Sequence, residues 1–304
     1  MTYLPQRRLP NRRARRSVRH AIACVGLLAF FALASSPQSS PPPDAPKAPD
    51  GLFDRIVANQ AKTDATLELF ERIQRVETRK SATDPKPSDV RTWRVFPAGP
   101  ATVKIPLSSD GRPLSQSAYR SDLEKLERYL LWAARSGRDQ REAYARAERK
   151  RKERTDLVSS ARQAFLFTKD GEESRDGRNL TKYALTPNPK YKPTTRNGAI
   201  FAKVRGTVWV DESSAQVVRI EGTVVEDISL ALFLAQVYKG SHFMQERQEI
   251  DGVWLPTLEE YDFDGHKFIF PISIHERTTY SHYRRVGSPA EAAQLVRNEL
   301  NGKN

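Results

Sequence analysis

The sequence predicts an α+β protein built on an antiparallel sheet, and two patterns carry this prediction. Short runs of alternating apolar residues, separated by polar turns, fill much of the chain from residue 165 to 286. Such runs are typical of strands joined by hairpins. Before them, apolar residues recur at steps of three and four, as expected for helices that bury one face.

The clearest hairpin covers residues 204–227. Val208 and Val210 alternate on its first strand, residues 212–215 form a polar turn, and Val218 and Ile220 alternate on its second strand. Alternate residues of a strand point to the same face. We therefore predict that Val218 and Ile220 face the core together.

Asp-Gly pairs predict further turns, because they supply the positive φ angles of tight hairpins. They occur at residues 170–171, 176–177, 251–252 and 264–265. The strand after the last pair carries four apolar residues on one face: Phe268, Phe270, Ile272 and Ile274. This face is expected to be buried or to line a cavity.

The first predicted helix begins at Leu52 and ends near Asp64, before a strand at about residues 69–79, with continuation of the helix through this segment as the alternative. A second helix carries a stripe of apolar residues and is expected to end at Gly137. The stripe consists of Leu123, Leu126, Leu130 and Ala133.

A third helix, at about residues 139–160, is highly charged with mixed signs. We interpret the second and third helices as a solvated hairpin docked on one side, rather than as a lipid-binding basic surface. A fourth helix begins with a capping box at Ser288 and ends near Leu300.

The first 34 residues have the pattern of a secretory signal peptide. Seven arginines and no acidic residue precede an apolar run of 14 residues, which ends in Ala32-Leu33-Ala34. This run is shorter than the roughly 20 apolar residues that span a bilayer, and its small terminal residues fit a cleavage site. We predict export to the periplasm or cell envelope, with an uncleaved membrane anchor as the alternative.

Residues 35–51 are rich in Pro and Ser and are predicted to form a flexible linker before a single domain at residues 52–304. The chain has 50 basic and 37 acidic residues, a net charge of +13, but seven basic residues lie in the signal segment. Because the remaining excess is modest, we expect no nucleic-acid partner. The single cysteine, Cys24, also lies in this segment, so the exported protein would contain no disulfide.

No motif indicates catalysis, a metal or a cofactor. The histidines at positions 242, 266, 275 and 282 lack zinc-site spacing. Asp262-Phe263-Asp264-Gly265 lacks the later ligands of a calcium loop. A nucleophile elbow and a phosphate-binding glycine loop are also missing from the sequence. We therefore expect a protein that is not an enzyme, although a hydrolase site assembled only in space stays open as an alternative.

The order of segments resembles that of the LolA/LolB-like superfamily of exported lipoprotein-sorting proteins. The stretches that carry the resemblance are LFDRIVANQ, GEESRDGRNLTKYALTPNPKYKP, VRGTVWVDESSAQVVRIEG and GVWLPTLEEYDFDG. It covers roughly residues 50–286 and is greatest to a bacterial branch with a basic helical insertion, here about residues 115–162. The resemblance implies a strongly curved antiparallel sheet, an incomplete barrel, which wraps helices around an apolar cavity for acyl chains.

These observations predict a non-catalytic envelope protein that binds a lipid or a lipoprotein acyl chain. The candidate cavity residues, each with ordinary core packing as the alternative, are Val208, Val210, Val218, Ile220, Phe268, Phe270, Ile272 and Ile274. Membrane contact is expected through the signal segment or transiently. The alternative function is a structural or interaction module, whose charged helix pair docks on an envelope protein.

Overall fold

A computed structural model describes residues 49, 51–193, 198–230 and 235–302. The predicted signal peptide and nearly all of the predicted linker lie outside the described residues. The described chain is α+β, with thirteen strands in one antiparallel sheet that does not close into a barrel. The predicted fold class is confirmed.

The strands are β1 Phe70–Arg79, β2 Asp89–Pro97, β3 Thr102–Ser109, β4 Arg112–Pro113, β5 Phe165–Arg175, β6 Arg178–Pro187, β7 Val204–Asp211, β8 Gln216–Val224, β9 Ile228–Leu230, β10 Ala235–Val237, β11 His242–Ile250, β12 Val253–Lys267 and β13 Phe270–Arg285. The main path of the sheet runs β4-β3-β2-β1-β13-β12-β11-β8-β7-β6-β5, and the short β9–β10 pair joins β12 through β10. The strand nearest the amino terminus, β1, therefore pairs with the last strand.

The helices of the described chain are α1 Leu52–Leu67, α2 Gln116–Ala133, α3 Arg138–Ala164 and α4 Pro289–Leu300, with a short 3₁₀ helix at Gly198–Lys203. None of these helices combines the length and the apolar character needed to cross a membrane. The predicted capping box of α4 is present, since the Ser288 side chain and Glu291 each satisfy the other's backbone N–H.

Helix α1 packs its apolar face on the sheet. Leu52, Phe53 and Ile56 are buried in the main core together with residues of β5 to β8, β11 and β12. The helix ends three residues later than predicted, and the expected strand follows at Phe70. The predicted helix and the favoured strand are therefore both confirmed.

Helix α2 buries the predicted stripe in a second core, which Phe96 and Ile105 of the sheet and Val296 of α4 complete. The prediction that α2 ends at Gly137 was wrong, because the helix ends at Ala133 and Gly137 instead precedes α3 as its N-cap. Helix α3 is longer than predicted and reaches Ala164.

The turns at residues 176–177, 212–215 and 251–252 are confirmed, but two predicted Asp-Gly turns are wrong. Asp170-Gly171 lies within β5 at an irregularity in its pairing with β6. Asp264-Gly265 lies within β12, because β10 pairs with that strand as far as Lys267. A Cβ at Gly265 would overlap the carbonyl oxygen of Gln236, so this glycine permits close strand pairing rather than a turn.

A β-bulge separates Val218 from Ile220. Trp209 lies opposite Arg219 whereas Val210 lies opposite Val217, so Val218 is the extra residue of β8. Val217 and Ile220 belong to the main core, and Val218 packs with Trp209 and Trp254 in a separate cluster. The prediction that Val218 and Ile220 share a face was therefore wrong.

Candidate ligand cleft

An apolar cleft lies between α1, the carboxyl-terminal part of α3 and the inner face of the sheet. Its lining residues are Phe53, Ile56, Val57 and Gln60 of α1, Val158, Ala161 and Arg162 of α3, Phe167 of β5, and Val208, Val217 and Ile220 of β7 and β8. All but Gln60 and Arg162 are apolar. The cleft can therefore accept a hydrocarbon group without leaving it in contact with many polar atoms.

Aromatic side chains close one side of the cleft. The Phe53 ring stacks on Phe167 with 3.7 Å between ring centroids and contacts the edge of Tyr183 at 5.3 Å. Because Phe53 comes from the first turn of α1, these contacts fix the helix against β5 and β6.

The cleft is small, with a volume of about 50 Å³. A dry apolar cavity of about 150 Å³ accepts one benzene molecule, so an acyl chain needs more space than this conformation provides. Widening the cleft requires movement of α1, α3 or the lining side chains.

Helix α3 is the more weakly held wall of the cleft. Among its 27 residues only Gln140, Ala161 and Ala164 are buried. Glu68, just after α1, forms ion pairs with Arg151 and with Arg154 at 3.0 Å, and Arg162 lies 3.4 Å from Asp54. Ion pairs at such partly exposed positions contribute about 0–1 kcal/mol each, so α3 is held mainly by the apolar contacts of Leu157, Ala161 and Ala164 with the core.

A buried polar network borders the cleft at Gln60. Arg247 donates hydrogen bonds to Gln60 and, at 3.1 Å, to the side-chain oxygen of Gln245. Gln60 donates to Asp64 at 2.6 Å. Burial lowers the pKa of Arg247. Burial also raises the pKa of Asp64, although the positive charge of Arg247 acts in the opposite direction.

The network continues across the same face of the sheet. Gln245, which lies opposite Ile220 in the β8–β11 pairing, donates to Glu259 at 2.9 Å. The Tyr280 hydroxyl donates to the other oxygen of Glu259 at 2.9 Å, and burial together with Glu259 raises the pKa of Tyr280. One part of this face is thus apolar, whereas the adjacent part is held by hydrogen bonds.

A larger groove of about 510 Å³ lies between β1 to β3, β13, α2 and α4, but charged residues that line it pair with one another. Arg94 donates to Glu71 at 2.8 Å and to Glu299 at 2.8 Å, and Tyr119 also donates to Glu299. Burial acts to lower the pKa of Arg94, but the two carboxylates raise it above its ordinary value. This network links α2 and α4 to the sheet, so we interpret it as structural.

Only some of the predicted cavity residues lie together. Val208 and Ile220 line the cleft, and Val210 is buried in the adjoining core. Ile274 packs partly against this core, and Ile272 is half-buried.

Phe268 and Phe270, in contrast, are 55% and 66% exposed. The predicted apolar face of the last strand therefore does not extend to them. Phe268 belongs to the turn rather than to the strand, and Phe270 begins β13 at the same end of the hairpin.

The helical pattern at Ile56 indicated the α1 wall of the cleft, whereas Ala161, Arg162 and Phe167 were not predicted to line it. Phe165 and Phe167 alternate in β5, which could have indicated a buried face. Val217 had no such signal, because the bulge that turns it inward is a property of strand pairing. Nowhere in the described part of the chain do three or more His, Cys, Asp or Glu side chains form a group suited to a metal ion.

No protein-family model matches this sequence, and no curated protein matches it. The chain is similar to a solved DUF1329 family protein from Desulfovibrio piger, with 11% identity and a TM-score of 0.29 over 79% of this chain and 94% of that one. It is similar to a LolA superfamily protein from Nitrosomonas europaea, with 12% identity and a TM-score of 0.25 over 79% and 94% of the two chains.

A third similar structure is an outer membrane lipoprotein-sorting protein domain from Vibrio parahaemolyticus, with 10% identity and a TM-score of 0.27 over 80% of this chain and 99% of that domain. Two of the three thus carry names from the superfamily that the sequence resembles. Because all three identities and TM-scores are low, the functional proposal depends on the residues of this chain.

Proposed function

We propose that this protein binds the acyl chain of a lipid or lipoprotein in the apolar cleft, in the periplasm or cell envelope, without catalysing a reaction. The observation that supports this proposal is the lining of the cleft, which is apolar except for Gln60 and Arg162. Beside it, α3 is held by few buried residues. Such a helix can move to admit a hydrocarbon chain.

The energetics favour a flexible apolar ligand. Burying each methylene group contributes about 0.8 kcal/mol, so roughly ten methylenes gain about 8 kcal/mol before the costs of ordering the ligand and moving α3 are subtracted. The Phe53, Val208 and Ile220 side chains supply part of the surface that replaces water. A compact polar ligand would gain none of this stabilisation.

Arg162 gives the cleft a polar end. Its side chain is 44% exposed and lies near Asp54, so its guanidinium can exchange this partner for a carboxylate or phosphate. Arginine binds both groups through paired hydrogen bonds. We expect the head group of the ligand to lie at Arg162 and its hydrocarbon part to extend towards Ile220.

An interaction module is the second candidate, and the long exposed surface of α3 is the observation that favours it. Several charges on α3 pair within the helix, as in Arg138–Glu142 and Lys152–Asp156. These pairs leave fewer charges for a partner, so we favour the ligand-binding proposal.

Mass spectrometry of lipids that copurify with the full chain, followed by titration with a fluorescent fatty acid, tests the proposal. Ala161→Phe places a ring in the cleft and should abolish fatty-acid binding. Ala147→Phe, a matched change at a half-buried position elsewhere on α3, should leave binding unchanged. Absence of copurified lipid together with absence of fatty-acid binding in the parent protein would refute acyl-chain binding.

A further inference from the structure

The end of the β12–β13 hairpin extends past the core, although β10 flanks its β12 arm as far as Lys267 and the core residue Val237 pairs with Gly265. Phe263 of the main core pairs with Ile274, four more residue pairs follow, and Phe268 and Ile269 form the turn. At about 3.4 Å per residue, the turn lies roughly 17 Å from Phe263. Pairing of β13 with β1 stops at His275, so residues 270–274 pair with only β12 among the described strands.

The tip of this hairpin is formed by three consecutive apolar residues. Phe268, Ile269 and Phe270 are 55%, 86% and 66% exposed. Because successive residues point in different directions, these side chains form a convex apolar end.

The backbone of the tip is also unfavourable at one residue. Phe268 has a φ angle of 55°, a conformation that hairpin turns usually assign to Gly or Asn and that bulky residues rarely adopt. An aromatic residue that is both exposed and strained contributes little to folding. Such positions often serve binding.

Positive charge lies directly behind the apolar tip. Lys267 immediately precedes Phe268 and pairs with Phe270 across the hairpin. Lys239 lies farther back, next to Tyr238, whose backbone N–H donates to the carbonyl of Asp264. The nearest carboxylate along β12 is Asp264, which accepts a hydrogen bond from Ser273 at 2.6 Å. The apolar residues thus lie outermost and Lys267 next, with Asp264 and Lys239 farther from the tip.

We propose that Phe268, Ile269 and Phe270 dock this protein on the interface of an anionic lipid bilayer. Apolar side chains enter the boundary between head groups and acyl chains, while the side chain of Lys267 extends to the phosphates. A convex tip suits this occupant, because a bilayer adapts to its shape, whereas a protein partner would need a socket that encloses it. The inference goes beyond the proposed function, since the tip contains no cleft residue.

Tryptophan fluorescence of the full chain with vesicles containing brominated phosphatidylglycerol tests the proposal. Phe268→Trp should show a blue shift and quenching that exceeds the quenching of the parent protein. The matched control is Leu166→Trp, at a 46% exposed apolar residue of the edge strand β5, and it should show no added quenching. If the amino-terminal segment also binds the vesicles, it contributes the same quenching to both variants, so the difference between them reports on the tip.

A second change measures the contribution of the tip. In the Phe268→Trp protein, Ile269→Ser should raise the lipid concentration for half-maximal quenching about tenfold, as expected for loss of one buried apolar side chain. Phosphatidylcholine vesicles should require more lipid than anionic vesicles. If Phe268→Trp does not fold, Phe270→Trp reports on the same tip.

Equal quenching at positions 268 and 166, or no added quenching at position 268, would overturn the proposal. Loss of self-association in the tip variants without lipid quenching would also overturn it, because the tip would then contact a second copy of the chain. Fatty-acid binding in the cleft is measured separately. Failure of the tip proposal is therefore distinguishable from failure of the cleft proposal.

Discussion

Phe53 offers the sharpest test of the cleft, because its ring belongs both to the core and to the cleft lining. The ring is buried and stacks on Phe167 at 3.7 Å. Replacing a buried Phe by Ala typically costs about 3–5 kcal/mol. For a domain of this size, each kcal/mol lowers the melting temperature by about 2–4 °C, so Phe53→Ala should melt roughly 6–20 °C below the parent protein.

The same substitution should widen the cleft. We expect Phe53→Ala to bind a fluorescent fatty acid, and a fatty acid at about 100 times its Kd should restore about 2.7 kcal/mol of the lost stability. Melting curves recorded with and without ligand measure both effects.

Phe270→Ala is the matched control, because it removes the same ring from a 66% exposed position. Its effect on stability should stay within about 0.5 kcal/mol. If the two variants lose equal stability, the assignment of Phe53 to the core is wrong. If ligand fails to stabilise Phe53→Ala although the variant folds, the cleft does not bind acyl chains.

Three further predictions concern the walls of the cleft. Val217→Ala should weaken fatty-acid binding whereas Val218→Ala should not, since the bulge places these neighbours on opposite faces; equal affinities in titration would contradict this register. Because Asp64 has a raised pKa, its stabilising contribution is complete below its ordinary value of 3.8 and is lost as pH rises through the raised value. The urea midpoint of the parent protein minus that of Asp64→Asn should therefore decrease as pH rises over that range. A difference that does not change with pH would contradict the raised pKa of Asp64. Glu68→Gln should change stability by less than about 1 kcal/mol but accelerate fatty-acid binding in stopped-flow experiments, because it releases α3. Glu148→Gln removes only a pair within α3 and should bind at the parental rate, so equal rates for all three proteins would argue against movement of α3.

Much of the fold could be predicted because its signals are local. The stripe from Leu123 to Ala133 needs only helical spacing, and the turn at Asp176-Gly177 needs only a backbone that accepts positive φ. Both patterns are visible within a few residues of sequence, and both were confirmed.

The remaining features depend on distant partners. Gly265 stays in β12 because β10 pairs alongside it, and this pairing moves the turn to Phe268 and Ile269. Val217 turns inward because of a bulge against β7. The cleft also requires α3 to lie beside α1, and sequence spacing cannot show such contacts between segments far apart.

The pairing of β1 with β13 has a consequence for the timing of folding. Gln74 and Tyr280 are neighbours in the sheet although 206 residues separate them along the chain. Such non-local pairing slows folding, since the intervening chain must first be brought together. The sheet segment from β1 to β4 cannot join the rest until the last strand is available, so a partly synthesised chain stays incompletely folded. If the protein is exported as proposed, this delay keeps the chain in the unfolded state in which a polypeptide can be threaded across a membrane.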